Sequence, residues 1–328
     1  MTAGVAAEAD AVDAPEATAA GGADAHEDWR ATLKFHTYRG LGAAMGHMPL
    51  PLAQGVARGV ARFMALRGGP ALAMNERHMR RVLASECVEG VEPDPALVRR
   101  WSRRTFDSYA EYWADGARLP YESEAGVRAR WRLEEGEDHL RAAFALGRGI
   151  VMALPHVGSW EWGGYWLALE GMPMTAVVER LEPPRLFEWF VAQRKAMGLT
   201  AVALGEGSSA ALLRALKNGE VAGLVSDRDL VGNGVEVEFF GERTTLPGGA
   251  ATLALRTGAP LLPVAVYSGP GHWHTGVVHA PVDTTRRRSL REDVARVTQD
   301  LATIFEGDIR RRPEQWHLYQ PNWPSDPR

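Results

Sequence analysis

The stretch "GIVMALPHVGSWEWGG", residues 149–164, decides how this chain is read. Its first half, "IVMAL", is a short unbroken apolar run, the pattern of a strand covered on both faces. Its second half turns at Gly158 and enters a helix at "SWEWGGYWLALEG", with Ser159 at the capping position. In a helix-covered parallel sheet, ligands gather where strands end and helices begin. His156 stands at that junction. Glu161 falls in the first helical turn, where it is expected to fold back on the imidazole, fix its tautomer and stabilise the imidazolium formed on proton uptake. A base with an orienting carboxylate, and no evident nucleophile residue, suits direct attack by a substrate hydroxyl on an activated acyl group. The plainer alternative is a histidine that only hydrogen-bonds at a strand end, with a glutamate that favours the helix dipole.

Outward from this stretch the same rhythm holds. After residue 136 come the helix "GEDHLRAAFALGRG", the strand "MTAVVE" and the helix "PPRLFEWFVAQRKAMG", whose two prolines stand where missing amide hydrogens cost least. Then follow the strand "TAVAL", the helix "GSSAALLRALKNGE" and the strands "VAGLVSD" and "VEVEFF". The helix "PGGAATLALRTG", the strands "PLLPVAVYS" and "HWHTGVVHA" and a helix over 290–311 complete the series, ahead of a Trp- and Pro-rich tail. Short apolar runs alternating with helices predict an α/β fold built on a mainly parallel, helix-covered sheet. Residues 29–120 read instead as helices. In "PLAQGVARGVARFMALRGG", Leu52, Val56, Val60 and Phe63 follow helical spacing; Arg77, Arg80 and Arg81 line the next helix, and four arginines open a third. Such faces fit ordinary packing onto a core. Several in succession, each fringed with arginine, point to an N-terminal helical layer that faces a membrane.

At 328 residues and 45% apolar content the chain can bury a large core. The formal charge of −4 is unevenly spread: residues 1–28 hold seven acids and no Lys or Arg, leaving 37 basic against 34 acidic residues elsewhere. Residues 1–28 are therefore expected to be a disordered acidic head, and 29–328 a single domain. The head lacks the basic start and apolar centre of a secretory signal. Cys87 is the only cysteine, which excludes an internal disulfide and favours a reducing, cytoplasmic setting. No 18-residue window is free of charge or strong breaks, so membrane contact would be peripheral. A net charge near zero without a concentrated basic stripe gives nucleic-acid binding little support. Walker and Rossmann glycine motifs are absent, and Ser208 and Ser209 lack the strand–turn context of a hydrolase elbow. His272 and His274 share one strand face but have no third ligand of suitable spacing nearby, so no metal is expected.

"HVGSWEWGG" resembles the H-x4-D/E motif of the glycerolipid and lipid A acyltransferase superfamily. Together with "VVERLEPPRLFEWFVAQRKAMG", "SDRDL", "VEVEFFGERTTLPGGAATLALRTGAPLLPV" and "WHLYQPNWPSD", it resembles the phosphatidylinositol mannoside acyltransferases of actinobacteria, from about residue 30 to the end. The resemblance implies transfer of a fatty acyl group from acyl-CoA, as co-substrate, to a mannose hydroxyl of a mannosylated phosphatidylinositol, at the cytoplasmic face of the membrane. No further cofactor is implied. His156 would be the general base and Glu161 its orienting carboxylate, in place of the aspartate expected in the mannoside-specific enzymes. Glu179 and Arg194 match acidic and basic positions near the family's active site. Asp227 stands where the family carries glutamate and, with Arg228, would contact sugar hydroxyls or phosphate; Asp229 completes that charged triplet. Thr244 and Thr245, beside the helix start at Pro247 and Gly248, offer donors for a phosphate or an oxyanion. Lipid A, other glycolipid or lysophospholipid acceptors, a hydrolase, and a non-catalytic lipid-binding protein are the alternatives.

Overall fold

The structure is a computed structural model that describes residues 29–88, 90–269 and 273–327. The acidic head and His272 lie outside the described residues. Four helices open the chain: α1 (Trp29–His47), α2 (Leu50–Arg67), α3 (Pro70–Ala84) and α4 (Pro95–Arg118). Asp94 caps α4 by accepting from the Ala96 amide. The short α5 (Glu124–Arg130) leads to β1 (Trp131–Glu135), α6 (Glu137–Ala145), β2 (Ile150–Leu154), α7 (Trp160–Leu169), β3 (Met174–Val178) and α8 (Pro184–Ala196). Then come β4 (Leu199–Ala203), α9 (Ser208–Lys217), β5 (Val221–Val225), the pair β6 (Val235–Phe239) and β7 (Glu242–Leu246), and α10 (Gly249–Thr257). β8 (Leu261–Ser268), β9 (His274–Val278) and α11 (Leu290–Arg311) complete the fold. α11 carries a full capping box between Ser289 and Glu292.

Seven strands form one sheet in the order β1-β9-β8-β2-β5-β3-β4. β8, β2, β5, β3 and β4 run parallel, whereas β9 is antiparallel to β8 and carries β1 alongside it. The sheet is mainly parallel and helix-covered, as the rhythm of the sequence predicts. Two apolar layers sandwich it. Phe239, Leu301, Phe305 and Trp316 belong to one, and Met152, Trp162, Leu167 and Leu199 to the other. Two strands escaped the sequence reading. β1, "WRLEE", is a charged edge strand without an apolar run. β7, "ERTTL", pairs with β6 through a two-residue turn at Phe240 and Gly241, both with positive φ. Phenylalanine is an uncommon occupant of that conformation, so the turn leaves no clear signature.

α2 faces the opposite way to ordinary amphipathic packing. Its buried side is Ala53, Ala57, Ala61 and Ala65, with Gln54. Arg58 pairs with Glu111 and Arg62 with Asp107, tying α2 to α4. The bulky residues Leu52, Val56, Val60, Phe63 and Leu66 point outward and are 41–78% exposed. Among the described residues no helix is long and apolar enough to cross a membrane.

Candidate active site

The parallel register of β2 and β5 builds the centre of the site. Leu154 lies beside Val225, and the Ser226 amide donates to the Leu154 carbonyl. Two residues further along each strand, His156 therefore meets Asp227. Asp227 accepts from the His156 backbone amide through Oδ2 at 2.9 Å, and its Oδ1 lies 2.6 Å from the imidazole Nδ1. A carboxylate only accepts, so Nδ1 carries the hydrogen and Nε2 is the nitrogen that can take a proton. Burial pushes the fully buried Asp227 carboxyl toward protonation, but its electrostatic interaction with His156 and the hydrogen bonds from His156 and Trp316 outweigh it, holding its pKa below the ordinary carboxylate value.

Glu161 is not the carboxylate on the imidazole. It is buried in the first turn of α7, where Arg194 of α8 donates to it at 2.9 Å and the Tyr112 hydroxyl of α4 at 3.1 Å. Sequence spacing brought Glu161 near His156, but a permanently charged guanidinium compensates a buried carboxylate better than an imidazole that is positive only after taking a proton. Burial, then Glu161, raises the Tyr112 pKa well above that of an ordinary phenol, so the hydroxyl stays a donor. Asp227 departs from the sequence reading in the complementary sense. With no exposed surface and both oxygens occupied, it serves the imidazole and is not placed to grip a sugar.

The remaining candidates divide. Arg228 is largely buried and lies 3.9 Å from Glu179, whose side chain at the end of β3 is more than half exposed. Asp229 accepts from the amides of Val231, Gly232 and Gly234 and from the Thr245 hydroxyl, so it holds its own loop. Thr244 donates to the Asn322 carbonyl. The two threonine hydroxyls expected to serve an anion thus close internal bonds. Ser159 stands at the N-cap of α7, yet its hydroxyl makes no capping bond. His274 is buried flat against Trp162, with ring centroids 4.1 Å apart, which accounts for that tryptophan. Among the described residues no three His, Cys, Asp or Glu side chains cluster as metal ligands would.

Several contributors were given no role by the sequence reading. His317 donates its backbone amide to the His156 carbonyl, and its ring lies 5.5 Å from that of Tyr112. Burial, followed by the neighbouring His156, lowers its pKa to about 3, so its imidazole is neutral. The tail also supplies Trp316, whose indole donates to Asp227 Oδ2 at 2.8 Å, and Asn322, whose amide donates to the Asp227 carbonyl. Beside this assembly lies a small recess with room for about 30 Å³, lined only by apolar side chains and glycines. Leu154 and Trp160, which bracket His156 in the chain, form part of its wall with Trp131, Met152, Trp166 and Val264. Arg194 stacks over Trp160 at 5.3 Å. A nitrogen able to accept a proton thus stands near an apolar recess, with the part-buried Arg194 over one of its walls.

Comparison with known proteins bears on this geometry. The family model described as bacterial lipid A biosynthesis acyltransferase matches residues 27–325. The chain is similar to the phosphatidylinositol mannoside acyltransferase of Mycobacterium tuberculosis (strain ATCC 25618 / H37Rv), with 37% identity over 270 residues covering 81% of each protein. It is 36% identical to the enzyme of that name from Mycolicibacterium smegmatis over 282 residues, 85% of this chain and 88% of the relative. To the lipid A biosynthesis palmitoleoyltransferase of Escherichia coli (strain K12) it is 28% identical over 194 residues, 57% of this chain and 60% of the relative.

Proposed function

The chain belongs to the bacterial lipid A biosynthesis acyltransferase family and is an acyltransferase; from that premise we propose that it moves a fatty acyl group from acyl-CoA to a mannose hydroxyl of a mannosylated phosphatidylinositol. The His156–Asp227 pair beside an all-apolar recess is the observation that carries this reading. The acceptor is favoured by the higher identity and longer coverage toward proteins named for phosphatidylinositol mannoside than toward the one named for lipid A.

In this mechanism the acyl chain runs along the apolar wall that carries the recess and brings its thioester carbonyl to His156. Nε2 takes the proton of the acceptor hydroxyl as its oxygen attacks that carbonyl. The tetrahedral intermediate collapses, the C–S bond breaks, and the imidazolium returns the proton to the leaving thiolate. Asp227 keeps Nδ1 protonated and stabilises the transient positive charge. Holding both substrates at one base supplies much of the rate through positioning. Arg194, anchored by Glu161, and Arg228, near Glu179, are cations suited to the acceptor's phosphate, and the exposed Glu179 carboxylate suits its hydroxyls.

The outward stripe of α2 supports peripheral docking on the cytoplasmic face of the membrane, where acyl-CoA and a lipid acceptor meet. The test is incubation of the purified protein with labelled palmitoyl-CoA and mannosylated phosphatidylinositol, a lipid A precursor, a lysophospholipid, or no acceptor. Label entering the mannosylated lipid, and lost in His156→Ala, is the expected result. Transfer to another acceptor would reassign the substrate. Free fatty acid alone would make the protein a hydrolase, and no turnover with unchanged vesicle binding would leave a lipid-binding protein.

A further inference from the structure

We infer that Trp316 is a positioning residue for the acyl transfer, its indole N–H clamping the Asp227 carboxylate so that one oxygen stays aimed at His156. The inference rests on the His156–Asp227 reading above and extends it to the tail. Oδ2 of Asp227 takes two donors, the His156 amide at 2.9 Å and the Trp316 indole at 2.8 Å, which leaves Oδ1 for the ring nitrogen at 2.6 Å. With Oδ2 fixed from two directions, the carboxylate cannot rotate away from the imidazole.

The indole itself is immobilised. Trp316 has no exposed surface, and the rings of His78, Phe239, Phe240 and Trp323 surround it at centroid distances of 5.5–6.3 Å. Its backbone is tied to the catalytic loop. The Gly158 amide donates to the Gln315 carbonyl, the His317 amide donates to the His156 carbonyl, and Val157 bridges Trp316 between them. The Gln315 side chain anchors this segment to both the amide and the carbonyl of Ser268 at the end of β8. The indole donor and the His156 loop are thus held together by one short stretch of paired backbone.

A buried indole often finds whichever acceptor is nearest, yet this fold does not require it. The N–H groups of Trp113, Trp131 and Trp162 are buried without a hydrogen-bond partner, and that of Trp323 serves a neutral carbonyl, Phe239. Trp316 alone among the described indoles with a hydrogen bond donates to a carboxylate.

The test replaces Trp316 in the full chain with Phe and, by site-specific incorporation, with benzothienylalanine, which keeps the shape of the indole and lacks the N–H. Loss of one hydrogen bond to a charged group predicts kcat about 10- to 100-fold lower for the isostere. KM for palmitoyl-CoA should stay near that of the parent, and the melting temperature should fall only by the loss of one buried hydrogen bond, leaving the variant folded at the assay temperature. An Asp227 that has lost a donor holds imidazolium more strongly, so the acid limb of the kcat profile should move to higher pH. A benzothienylalanine variant with parental kcat and pH profile would overturn the inference, even if Trp316→Phe loses activity by misfolding. Asp227→Asn run in parallel separates the two levels: full activity there would remove the dyad itself, whereas an inactive Asp227→Asn beside an unaffected isostere would remove only the role of Trp316.

Discussion

Asp227 meets His156 through both carboxylate oxygens, one on the imidazole Nδ1 and the other on the backbone amide. An amide at position 227 would present its NH2 or its oxygen to Nδ1 and could move the ring proton to Nε2, where the base is needed. Asp227→Asn is therefore expected to lower kcat on the order of a thousandfold or more. Glu161→Gln leaves that pair intact and removes the partner of Arg194. It should cost less in kcat and leave the acid limb of the pH profile in place, which steady-state kinetics across pH would check.

Gly158 has a φ of +59°, and a Cβ there would lie 2.0 Å from the Val266 carbonyl oxygen. Gly158→Ala cannot be absorbed by a side-chain movement, because the obstacle is backbone. It is expected to destabilise the fold by about 3 kcal/mol or more, read as a large fall in the urea midpoint. Gly147, also at positive φ but with open space around it, should lose only about 1 kcal/mol as Ala.

Asp115 is buried, and its pKa is raised to about 6, chiefly by burial, against the bond from Gln54. A carboxyl with a raised folded-state pKa lets the folded chain hold a proton that the unfolded chain has released, so its charge costs stability as pH climbs from about 4 to 6. That cost is full above pH 6. Asp115→Asn is expected to raise stability at pH 7.5 by about 2 kcal/mol and to make little difference below pH 4. Denaturant titrations at the two pH values would show it.

The two sides of α2 should respond differently. Val56→Asp with Phe63→Asp falls on the outward stripe and should cut sedimentation with anionic vesicles about tenfold or more, with the melting temperature unchanged. Ala61→Leu falls on the face buried beside α4 and should lower the melting temperature by overpacking. Vesicle sedimentation and thermal melts together read both.

Much of the architecture was legible because its signals are local. "IVMAL", "VAGLV" and "PLLPVAVYS" are apolar runs that become β2, β5 and β8, and the closing helix expected over 290–311 becomes α11. The histidine at the end of β2 was legible for the same reason. Its partner was not, since the pairing of His156 with Asp227 needs β2 and β5 to be neighbours, and strand order is a long-range property. Given that order, the constant register offset from Ile150 and Val221 leads straight to the pair. Glu161 competed for the role on spacing alone, and Arg194, more than thirty residues away in sequence, decided otherwise. Which face of α2 meets the protein was not legible either, because periodicity shows that a helix has two faces but not which one is buried.

The tail segment that holds Asp227 has a consequence for biosynthesis. Trp316, His317 and Asn322 leave the ribosome after the rest of the dyad's surroundings. At roughly 5–20 residues per second, a growing chain carries His156 for many seconds before its clamp exists. During that interval the sheet can form around β2 and β5 while the imidazole lacks a fixed partner. Under the proposed mechanism, acyl transfer becomes competent only when synthesis has passed the tail, and a nascent chain paused before residue 316 would carry His156 with its imidazole still unaimed.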